Sequence, residues 1–261
     1  MLVTVLRWGF RSGPDDGRLG YPTVDLDTLF VAPSVRFLEA RGARIERGAG
    51  VAGLTLDGGR VGQVTLQDAR TLGADAYLLA LPHGPMARLI AGSPLAGLAF
   101  FGGVAQIESA PIVAVNVWLD RPLGTRKPYE GLLDTTIEWV FDRTRMHGRA
   151  TGGGWYYTLI VSASWRLMAR SGAEIVEAAL ESLRLCYPAM AAAVVLETSV
   201  VKHPHATFSA RPGFARLRLP QATPIANLFL AGDWTDTDLP STMEGAVESG
   251  VRAVAAIEAA A

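Results

Sequence analysis

Apolar residues recur at helical spacing in some stretches of this chain and alternate with polar residues in others. In residues 28–40, Leu29, Phe30, Val31, Val35 and Leu38 fall largely on one face of a 3.6-residue period, and Gly42 supplies a C-terminal stop. The period then changes. ARIERGAGVAGLTL reads as extended chain, Asp57, Gly58 and Gly59 form a hairpin signal, and VGQVTL returns as the second strand. ADAYLLALP, from Ala74, is a short apolar run of the buried-strand type, stopped by Pro82. This order of helix, strand, hairpin and strand predicts an α/β segment.

From Pro111 the pattern is β. PIVAVNVWLD, then LLDTTIEWVFDRT with Ile137, Trp139 and Phe141 alternating, then GGWYYTLIVSAS predict neighbouring antiparallel strands. Residues 171–187 carry a helical stripe of Ile175, Val176, Ala179, Leu180 and Leu183 that ends before Pro188. ETSVVKHPHATFS is extended. NLFLAGDW reads as a buried strand leading into a long helix rich in Ala and Val. Residues 89–107 hold no charge, but Gly92, Pro94, Gly97, Gly102, Gly103 and Gln106 interrupt both helix and apolarity, which favours a buried loop and short helix over a membrane span.

Composition narrows the partners. With 49% hydrophobic residues in 261, the chain can bury a sizeable core. Its 24 basic and 25 acidic residues form no like-charged run, so no footprint for nucleic acid exists. The single cysteine, Cys186, excludes an intrachain disulfide and suits a reducing, cytoplasmic setting; beside Leu183 and Leu185 it reads as a buried small hydrophobe. The opening MLVTVLRWGFRSG lacks the basic region and cleavage site of a signal peptide. His203 and His205 in KHPHATF lack a third ligand at useful spacing and read as surface residues on a strand edge, with no metal.

Two glycine-containing motifs compete for a dinucleotide. Gly48, Gly50 and Gly53 spell G-x-G-x-x-G, but LTLDGGRVGQVTL follows, a hairpin and not the helix whose N-terminus would hold a pyrophosphate. GDWTDTDLPSTMEGAVESG, residues 232–250, is the stronger signal. Gly232 permits close backbone approach, Asp233 sits at the end of a strand, and Ser241 with Glu244 spells a capping box that starts the last helix near Thr242. Gly245, Ala246, Ser249 and Gly250 keep one helix face thin, so that a flat body or another backbone can lie against it. A carboxylate that accepts hydroxyl hydrogen bonds, beside a helix N-terminus that favours negative charge, suits a flavin.

That string resembles the C-terminal FAD motif of the amine oxidase and phytoene desaturase superfamily. With PIVAVNVWLDRP, IEWVFDRTRMHG and VVKHPHATF, the chain from about Gly20 onward is similar to the squalene-associated FAD-dependent desaturases, the hydroxysqualene dehydroxylases. The resemblance implies a mixed α/β fold: a partial FAD-binding, Rossmann-like domain from residues 1–110 and 219–261, and an antiparallel-sheet substrate domain from residues 111–218. It implies FAD as cofactor, with Asp233 on the ribityl chain, Thr242 and Met243 presenting backbone amides to the flavin, and Val51 meeting the adenine. The implied activity is reductive dehydroxylation of hydroxysqualene to squalene, or the chemistry of a related amine oxidase or carotenoid desaturase.

Trp118, Trp139, Phe141 and Trp155 are candidates to line an isoprenoid tunnel, and Asp142 and Arg143 are polar candidates whose default is surface pairing. An apolar substrate brings a further expectation of peripheral contact with the inner membrane, through residues 89–107. The family's N-terminal strand, glycine loop and helix have no counterpart in the motifs read here. The expectation is therefore a fragment of an FAD-dependent oxidoreductase, with a subunit of a split enzyme whose partner chain supplies that half, or a non-catalytic remnant, as the alternatives.

Overall fold

The computed structural model describes residues 2–10, 20–148 and 153–260. Helix α1 is Leu2–Phe10; the rest of the opening segment, residues 11–13, lies outside the described residues. A π-helical turn, Asp27–Val31, leads into α2, Ala32–Glu39, and Gly42 follows with φ +81°. Strands β1 (Val51–Asp57) and β2 (Arg60–Leu66) form the expected hairpin, with Gly58 and Gly59 both at positive φ in its turn. Two short strands follow, β3 (Thr71–Leu72) and β4 (Tyr77–Ala80), then α3 (His83–Ala91).

The second half supplies β5 (Ser109–Leu119), β6 (Tyr129–Gly131), β7 (Trp139–Asp142) and the short α4 (Arg143–His147). It continues with β8 (Trp155–Val161), α5 (Trp165–Met168), α6 (Gly172–Cys186) and β9 (Val195–Phe208). Strand β10 (Leu228–Ala231) and the long α7 (Met243–Ala260) close the chain.

These elements form two compact units. One contains α1, Glu46–Ser109 and Thr207–Ala261; the other contains Leu19–Ile45 and Ala110–Ala206. One boundary between the units lies between Ser109 and Ala110. Residues 20–45 belong with the strand-rich unit, where the Tyr21 ring meets Tyr129 edge-on at 6.1 Å. Residues 207–218 belong with the other unit, where Phe208 stacks on Phe214 at 4.2 Å and the Ser209 N–H donates to the Glu108 carbonyl.

In the first unit, β4 and β10 run parallel in register from Leu228 beside Tyr77 to Ala231 beside Ala80. All four β10 residues are buried, as an apolar run sandwiched on both faces requires. Asn227 fastens the hairpin to this sheet: its side chain accepts from the Val61 N–H at 2.8 Å and donates to the Val61 carbonyl at 3.0 Å. The uncharged stretch 89–107 folds as the end of α3 and a series of 3₁₀ turns, with Leu95, Phe101, Val104 and Ile107 buried. Those side chains are core, so they are not available for membrane docking. Among the described residues no helix is long and apolar enough to cross a membrane.

The second unit is a five-stranded sheet in the order β6-β7-β8-β5-β9. Alternation on β5 buries Val113, Val115, Val117 and Leu119 with Tyr157 and Leu159 of β8, against Ile175, Ala179 and Leu183 of α6. Helix α6 starts with a full capping box: the Ser171 side chain accepts from the Glu174 N–H, and the Glu174 carboxylate accepts from the Ser171 N–H. Cys186 is exposed and not buried. It is the last residue of α6 and lies on the outer side with exposed Leu185, while Leu183 and Tyr187 turn inward. The stripe of the 28–40 segment is also exposed, with no buried residue in the π turn or α2. His203 and His205 are exposed on β9, an outermost strand of the sheet.

Candidate cofactor site

Parallel pairing sets the C-terminal ends of β4 and β10 side by side, so Leu81 and Pro82 leave one strand next to where Gly232 and Asp233 leave the other. Ligands of open α/β sheets bind at such ends. Gly232 has φ +142°, and a Cβ there would lie 2.7 Å from the Trp234 ring nitrogen and 3.0 Å from the Leu81 carbonyl oxygen. The close approach that this glycine permits is therefore to the chain itself. The Trp234 indole, fully buried, donates to that same Leu81 carbonyl at 2.7 Å and ties the two strand ends together.

Asp233 is half-buried beyond β10, and its carboxylate accepts a short hydrogen bond from the Ser241 hydroxyl. Ser241 thus does not cap the last helix. The cap is Thr242, whose hydroxyl accepts from the Gly245 N–H at 3.1 Å while its carbonyl accepts from the Ala246 N–H. The one-residue shift from the expected capping box leaves the Met243 and Glu244 N–H groups as first-turn donors that the helix cannot pair internally.

The thin face of α7 lies against its own chain. Gly245, Ser249 and Ala253 are its buried residues; a Cβ on Gly245 would stand 2.8 Å from the Pro240 carbonyl oxygen. The Ser249 hydroxyl accepts from the Gly232 N–H at 2.8 Å, which binds the helix to the strand end. Ala246 is exposed, and nothing lies near a Cβ built on Gly250.

Arg218, which the sequence reading did not select, organises the loop between β10 and α7. Its buried guanidinium donates to the carbonyls of Thr235 (2.8 Å), Leu239 (2.9 Å) and Asp233 (2.9 Å) and to the Thr237 hydroxyl (2.9 Å). Burial pulls its pKa below the ordinary arginine value, opposed by Asp236, Asp233 and Asp238. A planar cation with five donors is the side chain able to serve four acceptors at once. The only sequence signal was an arginine inside ARLRLP.

The remaining candidates disperse. Val51 opens β1 and is exposed. Gly48 and Gly53 introduce that hairpin, with no helix following. On the five-stranded sheet, register puts Trp118, Trp139 and Phe141 on the face opposite the α6 core. Trp155 does not join them: it pairs with Leu119 and packs on the core side, next to a cavity of about 450 Å³ that Asp142, Thr144 and Arg145 also line. Asp142 is buried instead of surface-paired, accepting from the Thr125 hydroxyl and from the Arg145 N–H as the cap of α4. Among the described residues no group of three His, Cys, Asp or Glu side chains could hold a metal.

A model of the flavin containing amine oxidoreductases matches residues 29–258. The chain belongs to the flavin-containing amine oxidoreductase family. It is 32% identical over 244 residues to a hydroxysqualene dehydroxylase of Rhodopseudomonas palustris, covering 90% of this chain and 51% of that protein. It is 25% identical over 235 residues to a 15-cis-phytoene desaturase of Capsicum annuum, covering 84% and 39%. Its fold matches the crystal structure of an oxidoreductase from Methanosarcina mazei with TM-score 0.64 at 21% identity, covering 83% of this chain and 51% of that one. The chain spans about half the length of the curated relatives it matches.

This family of oxidoreductases uses FAD, and the strand-end site fits its flavin end. A half-buried acceptor, Asp233, stands eight residues before a serine that already bonds it, beside a helix whose first N–H groups are unspent. No strand, glycine turn and helix of the kind that holds a pyrophosphate occurs among the described residues.

Proposed function

We propose that this chain is the C-terminal half of the working machinery of an FAD-dependent oxidoreductase that acts on a long isoprenoid. The reaction in this reading is reductive dehydroxylation of hydroxysqualene to squalene. The observation that carries it is the open face of the five-stranded sheet. On β5, β7 and β8 this face presents Ile112, Ala114, Trp118, Trp139, Phe141 and Ile160 around Asn116, Tyr156 and Thr158, without a carboxylate or a cation. Such a surface offers apolar area for an uncharged polyprene.

When bound and reduced, FAD supplies the hydride. Asp233 would accept from the ribityl hydroxyls, Thr242 and Met243 would present the helix N-terminus to the flavin's electron-rich edge, and Val51 would lie against the adenine. Arg218 contributes by fixing the loop that carries Asp233. A further polypeptide segment, within a longer protein or on a partner chain, would provide the pyrophosphate site. Peripheral association with the inner membrane on its cytoplasmic side belongs to this reading, since the substrate class resides in bilayers.

The test is incubation of the reconstituted flavoprotein with hydroxysqualene and a reductant. Squalene formation supports the reading, and turnover of small amines without action on hydroxysqualene rejects it. The likeness to phytoene desaturases favours one alternative, a carotenoid-type desaturase, which would instead introduce double bonds into phytoene with oxidised flavin.

A further inference from the structure

Within the open aromatic face, one patch is polar. The Asn116 side-chain oxygen accepts from the Tyr156 hydroxyl and from the Thr158 hydroxyl, both at 3.0 Å, and its amide donates to the Ser199 hydroxyl at 3.1 Å. The Thr158 and Tyr156 oxygens are 3.3 Å apart. These four half-buried side chains come from three adjacent strands, β8, β5 and β9. Aromatic rings border them: Trp118 stacks on Tyr156 at 4.5 Å and 4°, and Phe141 is the register partner of Thr158.

Proton bookkeeping shows what this cluster has left to offer. The Tyr156 proton is committed to Asn116, and one amide hydrogen of Asn116 is committed to Ser199. The Ser199 hydroxyl hydrogen and a second amide hydrogen remain as donors. The lone pairs of the Tyr156 and Thr158 oxygens remain as acceptors. Free donors beside free acceptors, bordered by aromatic rings, suit an alcohol group, which gives one hydrogen bond and takes another. A hydrocarbon would leave these remaining donors and acceptors unpaired, at a cost.

We infer that Asn116, Tyr156, Thr158 and Ser199 form the anchor for the hydroxyl group of the isoprenoid alcohol, making them positioning and specificity residues. This rests on the isoprenoid reading above. It concerns a different property, namely preference for the alcohol over the hydrocarbon.

The experiment measures binding of hydroxysqualene and of squalene, each in detergent micelles, to the full 261-residue chain by intrinsic tryptophan fluorescence. The expected result is tighter binding of the alcohol by roughly tenfold, the usual worth of one or two hydrogen bonds. Tyr156→Phe, which keeps the ring on Trp118, and Ser199→Ala should each abolish most of that preference while leaving squalene binding and the melting temperature in place. A merely structural role would weaken both ligands together, and that outcome overturns the inference. Equal binding of the two ligands by the unmodified chain also overturns it, leaving the isoprenoid reading intact. Binding of neither overturns the inference, while the isoprenoid reading stands or falls on turnover by the reconstituted flavoprotein.

Discussion

The Ser241 hydroxyl donates a hydrogen bond to the carboxylate of Asp233, and it is the Thr242 hydroxyl that accepts from the first turn of helix α7. The carboxylate is thereby held half-buried at the strand end with lone pairs to spare, while Thr242 takes over the cap. If this pair serves the flavin, Asp233→Ala in the FAD-loaded protein should weaken cofactor binding by about 1.5–3 kcal/mol, the value of hydrogen bonds to a charged acceptor. Ser241→Ala should cost less, because Asp233 keeps its charge. Titration of flavin fluorescence measures both, and undiminished affinity of the aspartate variant would sink the assignment.

Arg218 should matter through the loop it holds. Arg218→Met leaves the carbonyls of Asp233, Thr235 and Leu239 without their buried donor, for an expected loss of about 3 kcal/mol or more. Arg218→Lys should rescue little, since an ammonium cannot span these directions. Urea denaturation gives the stability; a lysine variant of unmodified stability would contradict the account.

Glu130 gives the strand-rich unit a dependence on pH. Burial pushes its carboxyl up, but hydrogen bonds from the Tyr187 hydroxyl and the Arg126 and Lys127 N–H groups outweigh this and hold it below its ordinary value. Tyr187 is pushed well above the usual phenol range, by burial first and then by Glu130. With a folded pKa below the unfolded one, the stabilisation is fully present above the usual carboxylate range and is lost as pH falls through the lowered folded value. Thermal melts below pH 5 (roughly the unfolded carboxylate range) should fall less steeply for Glu130→Gln than for the unmodified chain. Parallel curves would show that the carboxylate does not contribute.

Isolated chain of these 261 residues should purify colourless and self-associate. Its pyrophosphate would have no glycine turn and helix among the described residues, and α7 exposes Met243, Val247, Val251 and Val254 in one row. Val247→Lys with Val251→Lys should reduce light scattering without restoring colour. A yellow, monomeric preparation with one FAD per chain would place the phosphates elsewhere.

Local patterns sufficed for much of this protein. The hairpin at Gly58 and Gly59, the alternating strand β5, the amphipathic helix α6 and the false dinucleotide fingerprint were all legible, because period and turn chemistry are properties of neighbouring residues. The cofactor motif was legible as a string. What residues apart in sequence do to each other was not. Gly232 proved to make room for Trp234, Trp155 fell on the core side of the sheet, and Cys186 turned outward, each fixed by strand register or helix phase. Arg218, Asn227 and the Asn116 cluster carried no local mark, since a buried polar side chain is tolerated only where distant backbone or hydroxyl partners converge on it. Sequence by itself determined the elements and the class of cofactor. Only the tertiary structure decided which polar groups meet, because hydrogen bonds act over about 3 Å and only folding brings residues tens or hundreds of positions apart within that range.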